Sequence, residues 1–278
     1  MLLPMLAQTF SDKHVRWPVL VQPKIDGIRC TASLDDEKRV VVLRTRTGIV
    51  MTSPYLDRIR SLLVDILTTD GASTMVLDGE LSSPDSPFEV LSGACRTTKL
   101  SDPVNVVYNV FDMIVPGVEF EERFRRVVSI IPDVAGQEEI RIVPTMLVDD
   151  VRGVDEHHDR FVRDGYEGII VRNRDGVYRP GKRSWDLQKH KKFRDDEFVI
   201  TGYAEGTGVD KGTVVWECAT PDGIRFHARP RGSREHRSRL LAEASEHIGS
   251  PLTVVYQGLT RHGVPRFPVA KGVRSDGL

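Results

Sequence analysis

Over the first 194 or so residues, short apolar runs rich in β-branched residues alternate with segments whose apolar residues recur at helical spacing. Residues 54–67 have the clearest helical spacing, and Ser53 before Pro54 is typical of a helix start. The same pattern predicts further helices at 88–96, 120–131 and 150–163. Runs of β-forming residues predict strands at 19–23, 28–34, 39–43, 75–81, 104–115 and 167–173.

The pattern changes after residue 195. Short strands are predicted at 197–202, 213–218, 223–228 and 252–256, joined by turns that contain Gly, Pro or Asp, and one helix is predicted at 234–247. Several short strands with a single internal helix are typical of a small, partly closed barrel of the OB type. We place a domain boundary at residues 194–197, within the charged segment 191–197, which gives domains 1–195 and 196–278 in a chain of the α+β class.

Composition narrows the class of protein without naming a function. The 278 residues carry 39 lysines and arginines against 40 acids, a net charge of −1, which excludes a uniformly basic nucleic-acid coat but not a local basic stripe. Three distant cysteines form neither a disulfide framework nor a zinc motif, which favours a reducing compartment. With no leader pattern and no apolar run near 18 residues, we expect a cytoplasmic, monomeric protein that does not bind membranes.

The most informative segment is 22–29, where Lys24 ends a β-run, Asp26 and Gly27 follow, and Arg29 comes five positions after the lysine. One interpretation is an ordinary hairpin turn with two solvated basic residues. The other is a lysine nucleophile. Only about 1 lysine in 2,000 is neutral at pH 7, a penalty of about 4.6 kcal/mol, so nearby cations or burial must lower the pKa of such a lysine.

Other segments carry the groups that such chemistry needs. Glu80 and Glu167 lie at the ends of predicted strands and could share a hard divalent cation with water and phosphate oxygens, although either alone could be a surface carboxylate. Lys189 and Lys191, at i and i+2, are predicted on one face of a strand, which without other motifs indicates a solvated basic face.

Taken in order, these segments resemble the six motifs of the covalent nucleotidyltransferase superfamily, which includes ATP-dependent DNA ligases, RNA ligases and mRNA capping enzymes. The matching segments are 24–29, 78–80, 111–112, 167–171, 189–191 and 266–274. The Arg-Phe-Pro at 266–268 and the Pro-Met-Leu-Ala at 4–7 resemble DNA ligases in particular. The resemblance implies an ATP-grasp-like nucleotidyltransferase domain of antiparallel sheets with flanking helices, followed by an OB-fold barrel.

The resemblance also implies a reaction. Lys24 would attack the α-phosphate of ATP, form a phosphoramidate to AMP and expel pyrophosphate; the AMP would then pass to the 5′-phosphate of nicked duplex DNA. Glu80 and Glu167 match acids used at the ribose and at a catalytic Mg²⁺ (or Mn²⁺). Lys189 and Lys191 match the pair that contacts the α-phosphate, and their charges would depress the pKa of Lys24.

Four further residues match nucleotide or DNA contacts in the family. Phe111 matches an aromatic residue that stacks on the purine, and Gln22 lies where a polar side chain often reads the adenine edge. Arg29 matches an arginine near the ribose and the nick phosphate. Arg46 resembles an arginine that binds the nick 5′-phosphate, although threonine replaces the usual serine before it.

The C-terminal motif contributes two arginines. Arg266 and Arg274 match residues that orient the departing pyrophosphate, and the alternative is a pair of surface arginines on a terminal strand. Two basic runs, 172–194 and 225–239, could follow DNA phosphates, whereas the alternative is a solvated surface.

Two other functions remain open at this stage. The chain could be an RNA ligase or a GTP-dependent capping enzyme with the same lysyl-nucleotide chemistry. It could also be a non-catalytic nucleic-acid-binding protein on this fold.

Overall fold

The computed structural model describes residues 2–35, 37, 39–68, 75–131, 138–260 and 263–274. The chain forms two compact units, Met1–His190 and Lys191–Leu278. This division comes a few residues before the boundary expected from the sequence, because the first strand of the second unit already begins at Arg194.

The first unit contains strands and helices in an irregular order. Its strands are β1 (Leu6–Thr9), β2 (Val19–Pro23), β3 (Ile28–Asp35), β4 (Val40–Thr45), β5 (Val76–Ser82), β6 (Val107–Met113), β7 (Ile140–Ile142), β8 (Met146–Val148), β9 (Ile169–Asn173) and β10 (Arg183–His190). Its helices are α1 (Asp57–Leu67), α2 (Phe88–Arg96), α3 (Phe120–Ile130) and α4 (Val151–Arg163).

These strands form two five-stranded sheets. We call the sheet with order β1-β10-β9-β2-β8 the first sheet, and the one with order β4-β3-β5-β6-β7 the second sheet. Neighbours are antiparallel except for one parallel pair in each sheet, β1 with β10 and β6 with β7. The chain passes from the first sheet to the second between β2 and β3.

The helices form where their apolar faces are covered. Residues of α1 such as Ile59, Leu63 and Leu67 are buried in the large core over the second sheet. A 3₁₀ turn at Pro54–Leu56 precedes α1, and the Ser53 hydroxyl accepts a hydrogen bond from the backbone N–H of Tyr55 (3.3 Å), as a capping residue should. Val154 and Phe161 of α4 pack in a smaller core against the first sheet.

The second unit is a closed barrel. It contains β11 (Arg194–Glu205), β12 (Val214–Ala219), β13 (Arg225–Pro230), α5 (Arg234–Ala242), β14 (Pro251–Tyr256) and β15 (Val269–Val273). The barrel order is β11-β12-β13-β15-β14, and inward residues alternate along β12 around the buried Trp216. The predicted fold class is therefore confirmed: α+β sheets with flanking helices, followed by a small barrel.

Several boundaries differ from those predicted. The strand expected at 104–115 is confined to β6, and the helix expected at 234–247 ends at Ala242 and continues as a 3₁₀ turn, Ala244–His247. The short strands β1, β7 and β8 were not predicted, because three or four residues carry too little alternation to be distinguished from a loop. Within the described ranges, no helix is both long and apolar enough to span a bilayer.

Candidate active site

Lys24 directly follows β2, in the segment that joins the two sheets of the first unit. Pairing between β2 and β9 continues beyond the strands: the Lys24 N–H donates to the Gly168 carbonyl (2.9 Å), and the Glu167 N–H donates to the Lys24 carbonyl (3.0 Å). This register makes Lys24 and Glu167 neighbours, although they are far apart in sequence. Their side chains form an ion pair between Lys24 Nζ and Glu167 Oε2.

The hairpin interpretation of 22–29 is wrong, because β2 and β3 belong to different sheets. Gly27 allows the crossing. A Cβ atom at this position would lie 2.1 Å from the carbonyl oxygen of Leu81, so no other residue fits without moving the backbone of β5. The close approach brings Lys24 near the end of β5, where Glu80 lies.

Arg29 is bound across the second sheet. It lies opposite Glu80 in the β3–β5 register, and its guanidinium donates to both carboxylate oxygens of buried Asp78, at 2.7 and 2.6 Å. Tyr178 donates its hydroxyl proton to the same carboxylate at 2.5 Å. Although burial lowers the pKa of Arg29, the charge and hydrogen bonds of Asp78 outweigh it and raise that pKa, so Arg29 stays cationic.

Glu80 lacks this compensation. Burial raises its pKa to about 7, and the charges of Arg29 and Lys24 only partly oppose that shift. Within the described part of the chain, no cation lies within ion-pair distance of the Glu80 carboxylate, and Glu167 adds further negative charge nearby. A bound cation would therefore stabilise the ionised form of the Glu80 carboxylate.

Phe111 owes its position to a β-bulge. Between β5 and β6, Asp78 lies opposite Asp112 and Gly79 lies opposite Val110, so Phe111 is the extra residue. A bulge changes the direction of a side chain relative to normal alternation. The Phe111 ring faces a cavity, and the Arg29 guanidinium lies 4.6 Å from its centroid.

Behind Phe111 lies a buried charge network. The Asp112 carboxylate accepts hydrogen bonds from Arg123 Nε (2.8 Å) and from Arg172 Nη1 (2.8 Å). Arg172 Nε also donates to Gln22 Oε1 at 2.7 Å. Gln22, the residue predicted to contact the base, is thus linked through Arg172 to the buried Asp112 carboxylate.

These elements enclose a cavity of about 230 Å³. Six basic side chains line it against a single acid, Glu80, so it suits a polyanion. The basic residues are Lys24, Arg29, Arg46, Arg172, Arg183 and Lys189. Gln22 and Phe111 also line the cavity, so the structure brings together most of the predicted nucleotide-binding residues.

A second groove of about 500 Å³ shares Arg29, Arg46 and Glu80 with this cavity. Arg46 is exposed just after β4, in the turn that follows Thr45. Three threonines and Arg96 supply further polar groups along the groove. A ligand in the groove would therefore lie next to one in the cavity.

The remaining predicted residues belong to the end of the first unit and to the second. Lys189 lies in β10, but this strand ends at His190, so the expectation that Lys189 and Lys191 share one face of a strand is wrong. Lys191 begins the second unit. There, Arg266 lies over the ring of Phe267, and Arg274, just after β15, pairs with Glu197 at 3.2 Å.

Glu80 and Glu167 could supply part of the coordination of a divalent cation. Glu167 is close enough to raise the pKa of Glu80, and hard oxygen ligands are what Mg²⁺ prefers. No cluster of three or more His, Cys, Asp or Glu side chains suited to a metal was found among the described residues. The site thus offers two protein ligands, and water and phosphate oxygens would complete the coordination.

Sequence reasoning missed two cavity residues and one supporting pair. Arg172 and Arg183 line the cavity but were seen only as members of a basic run. Asp78 and Tyr178, which fix Arg29, had no assigned role. A useful signal for Arg172 was its place in β9 next to apolar residues, since an arginine in a buried strand needs a buried partner.

Comparison with known proteins agrees with this geometry. Residues 4–191 match the family model of the ATP dependent DNA ligase domain, and residues 205–274 match the model of the DNA ligase OB-like domain. The DNA ligase of African swine fever virus (strain Badajoz 1971 Vero-adapted) is 28% identical over 285 residues, which cover 97% of this chain and 66% of the relative. The chain thus spans 66% of the length of that relative.

Solved structures share the fold. A Lig E DNA ligase has a TM-score of 0.66 at 24% identity, covering 98% of this chain and 99% of the other. The Chlorella virus DNA ligase-adenylate has a TM-score of 0.56 at 22% identity, covering 99% of each chain. With both family models in chain order and the first covering more than half of the residues, this chain belongs to the ATP-dependent DNA ligase family.

Proposed function

We propose that this chain seals 5′-phosphate/3′-hydroxyl nicks in duplex DNA through a covalent lysyl-AMP intermediate. The observation that carries the proposal is the ion pair between Lys24 and Glu167 beside a cavity with six cationic groups and an aromatic wall. A nucleoside triphosphate needs these features: cations for the phosphates and an aromatic face for the base.

In the first step Lys24 Nζ must lose a proton before it can attack. The Glu167 carboxylate contacts Nζ and is the nearest proton acceptor. The neutral amine then forms an N–P bond to the α-phosphorus of ATP while the bond to the bridging oxygen breaks and pyrophosphate leaves. Arg29 and Lys189 supply positive charge to phosphate oxygens as negative charge shifts in the transition state.

Glu80 and Glu167 are the proposed ligands of Mg²⁺. Such a cation would supply positive charge to the phosphates and, as a neighbouring positive charge, would favour the neutral form of the Lys24 amine. The raised pKa of Glu80 supports this assignment, because a partly desolvated carboxylate without a partner cation is stabilised by a bound cation.

In the second step an oxygen of the DNA 5′-phosphate attacks the same phosphorus, and the N–P bond to Lys24 breaks. In the third, the 3′-hydroxyl attacks the activated 5′-phosphate, a phosphodiester forms and AMP leaves. Arg46 is the proposed contact of the 5′-phosphate, since it lines both the cavity and the adjoining groove. The roles expected for Lys191, Arg266 and Arg274 stay predictions.

The test is transfer of label from α-labelled ATP. With Mg²⁺ and no DNA, the wild-type protein should acquire one adenylyl group per chain in a phosphoramidate bond, which survives alkali and is hydrolysed in acid. Lys24→Ala should acquire none. Label on Lys24→Ala would remove Lys24 from its role, and a labelled wild type that joins nicked RNA but not nicked DNA would overturn the proposed substrate.

A further inference from the structure

We infer that Arg172 selects adenine over guanine by fixing the orientation of the Gln22 side-chain amide. The inference rests on the proposed function and concerns how the same cavity chooses its nucleotide. Gln22 is 1% exposed and Arg172 is 2% exposed, yet both line the cavity, so they belong to its rigid wall.

Three neighbours determine which way the amide points. Arg172 Nε donates to Gln22 Oε1 at 2.7 Å, and a guanidinium has no acceptor, so the oxygen of the amide must face Arg172. On the other side, Gln22 Nε2 donates to the backbone carbonyl of Phe111 (3.2 Å) and to Thr145 Oγ1 (2.9 Å). A flipped amide would lose the hydrogen bonds to Arg172 and to the Phe111 carbonyl.

Thr145 strengthens this constraint. Its hydroxyl donates to the backbone carbonyl of Val143 at 3.1 Å, so its oxygen is left to accept from Gln22. The Phe111 carbonyl can only accept. Both partners of Nε2 are therefore acceptors and the partner of Oε1 is a donor, which leaves a single orientation of the amide.

As a consequence, the Gln22 side chain can accept a hydrogen bond from a ligand but cannot donate one. Both N–H bonds of the amide are used, and the remaining capacity is the second lone pair of Oε1. Adenine presents an amino group on its six-position and guanine presents a carbonyl oxygen there. In one pose, the amino group can donate to Oε1, whereas the guanine oxygen would face a lone pair with no proton between them.

Arg172 is thus a positioning residue, because it acts through Gln22. Its other hydrogen bond, to Asp112 at 2.8 Å, holds the guanidinium in place. The chain of contacts runs from Asp112 through Arg172 to the amide.

The test is the ratio of ATP to GTP binding, measured by calorimetry on the whole chain, beside covalent labelling by each nucleotide. Wild type should bind ATP more tightly than GTP by at least about tenfold, the usual cost of a mispaired buried polar group. Arg172→Lys keeps a cation near Asp112 but loses the planar guanidinium, and the preference should fall about tenfold. Arg174→Lys, whose arginine pairs with Glu121 at 2.8 Å outside the cavity, is the matched control and should retain it.

If Arg172→Lys does not fold, the ratio of ATP to GTP binding can be measured on Thr145→Val instead. This substitution removes one acceptor from Gln22 Nε2 and should reduce the ATP preference about two- to fivefold. A wild type that binds both nucleotides equally, or variants at 172 and 145 that keep the wild-type ratio, would overturn the inference. The covalent label tests the proposed function separately. A protein that binds ATP more tightly than GTP but never becomes labelled would support the role of Arg172 in nucleotide selection and contradict the lysyl-AMP intermediate.

Discussion

The two ends of the cavity neutralise their charges in different ways. At what we call the base end, lined by Gln22, Phe111 and Arg172 with Asp112 buried behind them, the Asp112 carboxylate accepts hydrogen bonds from two arginines and from the Met113 N–H. At the phosphate end, lined by Lys24, Glu80 and Lys189 with Glu167 paired to Lys24, the half-buried Glu80 has a pKa raised to about 7 and no cation within ion-pair distance among the described residues.

This difference between the two ends assigns base recognition to one end and phosphoryl transfer to the other. A buried network with every polar group satisfied is rigid, and rigidity is what base selection needs. Groups that must bind a cation, lose a proton or attack phosphorus cannot be saturated by the protein itself. The base end should therefore control stability and nucleotide choice, and the phosphate end should control rate.

The largest expected effect comes from Lys24→Arg. The variant retains a positive charge beside Glu167, so its free energy of unfolding should stay within about 0.5 kcal/mol of wild type. A guanidinium stays protonated at neutral pH and cannot act as the nucleophile, so the rate of label transfer from ATP should fall at least about 10⁴-fold. Urea denaturation and labelling check the two parts, and efficient labelling of Lys24→Arg would mean that the charge, not the amine, matters.

Next in size is Arg123→Met at the base end. Arg123 is fully buried and donates to both oxygens of Asp112, so the change removes one of the two arginines that pair with this buried carboxylate and leaves Arg172 and the Met113 N–H. The free energy of unfolding should fall by about 3–5 kcal/mol. Arg125→Met, on the exposed side of the same helix, should change it by less than about 0.5 kcal/mol in the same urea titration. Equal effects of the two changes would refute the contrast between the ends.

The same contrast explains what the sequence could predict. Lys24, Glu80 and Glu167 were identified because their residue types and order match a known chemistry. The ion pair between Lys24 and Glu167 depends on the β2–β9 register, and the approach of Lys24 to Glu80 depends on Gly27, where a Cβ atom would meet Leu81. The motif therefore indicates which residues react, and tertiary structure alone shows how they meet.

The base end was harder to predict. Phe111 was identified, but its direction depends on a bulge that exists only in the pairing of β5 with β6. Arg172 was counted only as one member of a basic run that could follow DNA phosphates, because a basic run in sequence does not show which member is buried. Its partners Gln22 and Asp112 lie on two other strands, and no local pattern connects the three.

A smaller effect is expected from pH in the absence of divalent cations. The pKa of Glu80 is raised to about 7 in the folded chain from an ordinary value of 4.5. Between these pH values the folded state binds more protons than the unfolded state, so the contribution of Glu80 to stability is present at low pH and is lost as pH rises. The loss should amount to at most about 3.4 kcal/mol. Glu80→Gln should flatten this part of the stability–pH curve, and an unchanged slope would contradict the assignment to Glu80.

The smallest expected effect is that of Phe111→Leu. Leucine keeps an apolar wall but removes the flat ring, and aromatic stacking adds about 0.5–1.5 kcal/mol beyond area burial, so KM for ATP in the labelling reaction should rise about two- to tenfold. The maximal rate should change little, because Lys24 and Glu167 keep their backbone pairing. Phe124→Leu, which contacts Phe120 on α3 and does not line the cavity, is the matched control and should leave KM unchanged. A fall in maximal rate at constant KM would mean that the base end takes part in the chemistry, and the division between the two ends would fail.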